Sequence, residues 1–164
     1  MIQRIQSLFL FGVAFLMGLT NAYYMWGEMS ADQSTVATLT TFKMKVVETA
    51  GTVSDLTDDT IIREDGTWYI GALTILASII ALVSIFQFKN RLNQMKLGAL
   101  NALIMAAVLG LSYYKIYQFE GLIDGTGQIS FGFYCPAGAM LLNIMANRFI
   151  RKDEKLVKSV DRIR

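Results

Sequence analysis

The stretch YIGALTILASIIALVSIFQF, Tyr69 to Phe88, decides the reading of this chain. It carries no charge over roughly 20 residues, and a helix rising ~1.5 Å per residue takes that length across the ~30 Å hydrocarbon core of a bilayer. Three further runs have similar length and character: about Ser7–Trp26, Leu97–Tyr117 and Phe131–Ile150. The bilayer interior offers no water to peptide groups, so each run is expected to be a helix that closes its own hydrogen bonds. The runs are too continuous for the alternation of barrel strands. Of the 164 residues, 54% are hydrophobic and 17% charged, and the apolar ones cluster in these runs. That is the composition of a membrane protein, not of a soluble domain with a large core.

The expected fold class is an all-α membrane protein: a four-transmembrane-helix bundle with a small β-stranded first outer loop and an amphipathic cytoplasmic C-terminal helix. It forms a single domain over residues 1–164, with the outer loop at residues 27–68 and the tail at residues 151–164.

The 15 Lys and Arg residues fix the orientation. Eleven lie on one side of the four runs: Arg4, then Lys89, Arg91 and Lys96, then Arg148, Arg151, Lys152, Lys155, Lys158, Arg162 and Arg164. Four lie on the other: Lys43, Lys45, Arg63 and Lys115. The positive-inside rule places both termini and the short link between the second and third runs in the cytoplasm. The small-residue cleavage pattern around Thr20-Asn21-Ala22 is poor and the apolar run continues to Trp26. An uncleaved anchor is therefore expected, not a signal peptide.

The outer loop reads as structured. From Val36 to Glu48, Phe42, Met44 and Val46 fall on one face at period two, with Lys43 and Lys45 opposite, the pattern of a half-buried strand. Thr60–Arg63 is a second β-branched run and Asp65-Gly66 a turn signal. Two or three short antiparallel strands should lie over the outer helix ends, either as a lid or as a docking surface for a partner. The acids Asp55, Asp58, Asp59, Glu64 and Asp65 lack the spacing of a calcium loop and read as solvated.

Within the runs, small residues recur at helical spacing: Ala14 and Gly18, Ala77 and Ala81, and Ala102, Ala106 and Gly110. They allow close helix approach, either inside this chain or against another membrane subunit. Asn101 and Asn143 are too costly to face lipid and should hydrogen-bond inside, as interhelical struts or as part of a transport path. Lys115 has the place of a snorkelling cation among tyrosines, paired with Glu120 or Asp124. No acid lies within a run, which argues against a proton or ion pump.

No cofactor is expected. The chain has no histidine, which excludes imidazole ligation and histidine catalysis. Its one cysteine, Cys135, has neither a resolving partner nor a basic neighbour in sequence. Pro136 near the start of the fourth run can begin or kink that helix.

After Ile150 the tail combines bases with a narrow apolar stripe. Arg151, Lys152, Lys155, Lys158, Arg162 and Arg164 accompany Leu156, Val160 and Ile163 at i, i+4, i+7. Such a helix can rest on anionic lipid headgroups. The sharper alternative is that it docks a protein, or contacts RNA or a ribosome.

The opening MIQRIQSL, the FKNR after Gln87 and the ending ANRFIRKDEKLVKSVDRIR resemble a family of small bacterial inner-membrane proteins, domain of unknown function 4293. The resemblance covers nearly the whole chain. It implies four spans, an intact N-terminal anchor and a cytoplasmic tail, and brings no activity or catalytic residues.

The sequence thus points to a non-catalytic integral membrane subunit or scaffold of a larger envelope complex. It would meet other membrane proteins through its spans, its outer loop and its basic tail. The alternative is a small transporter or channel component, for which midplane charges and broken helices are nearly absent.

Overall fold

A computed structural model describes residues 2–49, 60–88, 90–120 and 123–161. In chain order the elements are α1 (Ile2–Thr20), β1 (Trp26–Ser30), β2 (Thr35–Leu39), β3 (Lys43–Glu48), β4 (Thr60–Gly66), α2 (Trp68–Phe86), α3 (Arg91–Phe119), β5 (Gly125–Ile129) and α4 (Phe131–Asp161).

The chain is not an all-α, four-span bundle. Five strands form one antiparallel sheet in the order β4-β3-β2-β1-β5. Among the described residues, only α2 and α3 are long and apolar enough to cross a membrane. The apolar part of α1, Ile5–Thr20, is shorter, because the chain leaves the helix after Thr20 and Trp26 opens β1. In α4 the apolar run is interrupted by Pro136, Asn143, Asn147 and Arg148.

The sheet also draws on more of the chain than the outer loop. β5, from the link between α3 and α4, pairs with β1 in the register Trp26↔Ile129 to Ser30↔Gly125. The turn into β2 is held by Asp32, whose Oδ1 accepts from Ser30 Oγ (2.6 Å), Ser34 N (3.2 Å) and Ser34 Oγ (2.8 Å). Those bonds hold its carboxyl down to about 2.

Along the strands, side chains alternate between two faces. Trp26, Glu28, Ala37, Leu39, Met44 and Val46 face inward and are buried. Together with residues of the four helices, the apolar members form one continuous core. Helix α1 packs on α2 and α4, and α3 packs on the same two. The buried stripe of α3 runs Gln94, Gly98, Asn101, Met105, Val108, Ser112, Ile116, Phe119, steps of three and four that keep one seam facing its neighbours.

Two helix starts hang from the sheet. The Gly71 amide, in the first turn of α2, donates to Thr41 O (2.9 Å), and the Gly132 amide of α4 donates to Tyr24 O (3.0 Å). Each satisfies an amide that the helix itself leaves unpaired. A Cβ on Gly132 would stand 2.6 Å from Tyr24 O, so only glycine fits that junction.

Candidate functional site

The tail is the last turns of α4, not a separate helix. Beyond Ile150 the helix continues unbroken to Asp161, with no Gly or Pro to stop it. Arg91, at the start of α3, braces it. One guanidinium nitrogen stands 3.0 Å from the Asp153 carboxylate and another donates to the Asp153 carbonyl at 3.0 Å. Arg151, Lys152, Lys155, Leu156 and Val157 are exposed. The side chains of Lys158 and Val160, and residues Arg162, Ile163 and Arg164, lie outside what is described.

The three strand residues do not form one face. Met44 and Val46 are buried beneath the sheet and build the core. Phe42 lies in the turn before β3, outside the alternation, and its half-exposed ring packs against Gly71 of α2. The inner face of the sheet is therefore joined to the helices. What the sheet leaves exposed is its outer face and the edge strands β4 and β5.

Under the sheet sits a charged group that the sequence pairs differently. Lys115 Nζ is 3.6 Å from Asp65, not beside Glu120 or Asp124, and Arg63 reaches the same carboxylate at 3.6 Å. Arg63 stacks over the Phe119 ring at 4.8 Å, with Lys115 at 6.0 Å. Glu64 pairs with Lys43 at 2.7 Å. Asp55, Asp58 and Asp59 lie outside the described residues. Among those described, no group of His, Cys, Asp and Glu is placed to hold a metal. An open cavity of ≈350 Å³ lies beside Arg63, lined also by Ser30, Thr35, Val46, Ile123 and Asp124.

Glu28, on the inner face of β1, is only 3% exposed. Its Oε2 has no hydrogen-bond partner among the described residues. Burial, and then the charge of Glu120, push its carboxyl above the ordinary 4.5. The fold thus favours its protonated form. That contribution to stability is complete below pH 4.5 and is lost as pH rises through the folded value. Glu28→Gln should flatten the fall of melting temperature with rising pH above 4.5. An unchanged slope in a thermal titration would assign the dependence to another group.

At the opposite end of the helices lies a buried polar layer. Asn143 Nδ2 donates to Gly98 O (2.8 Å) and Gln94 Nε2 to Ser84 O (3.0 Å). Asn101 and Asn143 both face the interior, as their cost in lipid requires. Gln6, Ser84, Gln94 and Asn147 join them. Left without a partner among the described residues are Gln6 Nε2, Ser84 Oγ, Gln94 Oε1, both amide atoms of Asn101, Asn143 Oδ1 and Asn147 Oδ1. At ~1–3 kcal/mol each, such groups in a dry core would cost on the order of 10 kcal/mol, comparable with the ~5–15 kcal/mol stability of a whole domain.

These features can be set beside known proteins. The family model for a domain of unknown function (DUF4293) matches residues 2–163. The chain belongs to this family. No curated protein matches it. The DUF4293 match runs through the sheet, all four helices and the polar layer, so these parts belong to one family unit and not to an appended module. Of its features, the sequence signalled Asn101, Asn143 and the exposed bases. It did not signal Gln6, Ser84 or Gln94, which read as ordinary residues near the ends of their runs.

Proposed function

We propose that this DUF4293 chain is a non-catalytic adaptor subunit embedded in the bacterial inner membrane. Its tail lies on the cytoplasmic side and its sheet on the outer face, with α1 and α4 packed along the two membrane-long helices and not crossing as independent spans, and it docks larger envelope partners through exposed surfaces at either end. One observation carries the reading: the outward faces of the membrane-long helices are apolar in the middle and differ at their ends. On α2 and α3, Ile75, Leu76, Ile79, Leu82, Leu100 and Leu103 are exposed. Exposed Trp68, Tyr113, Tyr114 and Tyr117 ring the sheet end, where amphipathic rings favour the headgroup level. Lys96, Arg151, Lys152 and Lys155 are exposed at the other end, where an anionic cytoplasmic leaflet attracts bases. Ala106 and Gly110 also face outward on α3, leaving room for a close helix–helix approach.

Deleting Lys152–Arg164 tests the adaptor reading. Proteins that co-purify with the full chain in mild detergent should fall roughly tenfold in yield, the scale of losing ~1.4 kcal/mol of contact. Undiminished partners would remove the tail from the interface, and a lone monomer under several conditions would count against an adaptor altogether.

The polar layer favours a second reading, a small transporter or channel component. Solute flux into liposomes carrying only the purified chain would prefer it.

A further inference from the structure

We infer that the buried polar layer is a hydrated inlet, filled by water from the end that carries the tail and closed at Asn101. It stands on the interior of the molecule and does not depend on the adaptor reading.

The layer is a ladder, not a point. Gln94, Gly98 and Asn101 follow one another up the seam of α3. Ser84 of α2, Asn143 and Asn147 of α4 and Gln6 of α1 supply the facing polar groups. Gly98 makes room for it: a Cβ there would collide with the Asn147 carboxamide, which rests against the bare backbone. At the lower end stands the Arg91–Asp153 pair, with side chains 19% and 13% exposed. Solvent therefore reaches to within a turn of Gln94. Above Asn101 the seam becomes apolar: Met105 and Val108 of α3, Val13 of α1, Ala77 of α2 and Ala139 of α4 are all fully buried.

The unpartnered atoms say what fills it. Oxygens of Ser84, Gln94, Asn101, Asn143 and Asn147 outnumber the nitrogens of Gln6 and Asn101. Each NH2 nitrogen carries two N–H donors and the Ser84 hydroxyl can serve either way, so the occupant must both donate and accept hydrogen bonds. It must also be neutral, since these residues carry no charge and the Arg91–Asp153 pair at the mouth is already balanced; a lone ion in hydrocarbon would be uncompensated. Water meets both demands and bridges two to four polar groups at once.

Water-edited solid-state NMR of the full chain in lipid bilayers tests this directly. Magnetisation from water should reach the carboxamides of Gln94 and Asn101 several-fold faster than the methyls of Met105 and Val108. Equally slow transfer at all four would overturn the inlet, and equally fast transfer at Val108 would overturn its closed end. Asn101→Leu supplies a second readout. A dry layer would gain melting temperature on losing two unpaired groups, whereas a hydrated one should lose it. A melting temperature raised by sodium or potassium chloride over choline chloride would mark a cation site and defeat the assignment to water. If Asn101→Leu does not fold, the NMR of the unaltered chain still decides.

Discussion

Trp26→Ala should lower the melting temperature of the purified protein by about 10 °C or more. The side chain is 2% exposed and sits where the sheet meets the helices. Its ring lies over Gly127 of β5, close enough that a Cβ there would come within 2.8 Å of the indole nitrogen. Emptying a buried tryptophan site costs ~3–5 kcal/mol, and each kcal/mol moves a domain of this size by ~2–4 °C. The comparison is Trp68→Ala. That side chain is 69% exposed, and its loss should alter stability by no more than about 0.5 kcal/mol. Equal effects from both replacements would mean that the sheet is not seated on the helices as described.

Arg91→Met should destabilise the tail end by roughly 2–3 kcal/mol, since removing one partner strands a partly buried carboxylate. The second guanidinium bond, to the Asp153 carbonyl, goes with it. Hydrogen exchange over residues 151–161 should quicken, because this side chain ties those turns to α3. Arg91→Met combined with Asp153→Leu should recover most of the loss, as replacing both members of a buried pair usually does. A double variant no more stable than the single one would show that the charge pair is not what matters.

How much of this was legible in the sequence differs by element. The apolar runs were readable because both the buried and the exposed sides of these helices are apolar over most of their length. Their ends were not. Trp26 continues the first run in composition, yet it belongs to β1, because its burial comes from Gly127, 101 residues further on. The stretch Gly125–Ile129 shows no alternation. Its glycines are set by what lies opposite, the Trp26 ring and the Met29 carbonyl. Strand β3 was readable from Met44 and Val46, but Phe42 was assigned to the same face because period two does not reveal a turn.

For the candidate sites, Asn101 and Asn143 are both buried, as the cost of a carboxamide in lipid predicts, but only Asn143 makes the expected hydrogen bond across helices; neither amide atom of Asn101 has a partner among the described residues. Gln94 and Ser84 carry no such signal, since near the end of an apolar run they look solvated. The bond from Gln94 to the Ser84 carbonyl depends on how α2 and α3 cross. The tail's continuity with α4 could have been read from the absence of a stop signal after Ile150. Its brace by Arg91 could not, because the pair joins residues 62 apart.

The proposed orientation puts the sheet and the tail on opposite sides of a membrane. Cysteine labelling tests it, with Cys135→Ala removing the native thiol. Met29 and Leu156 are 42% and 48% exposed, one on the sheet and one on the tail. In intact spheroplasts a membrane-impermeant maleimide should label Met29→Cys, and should label Leu156→Cys only after the membrane is opened with detergent. Labelling of Leu156→Cys in intact spheroplasts, or protection of both until detergent is added, would contradict that orientation.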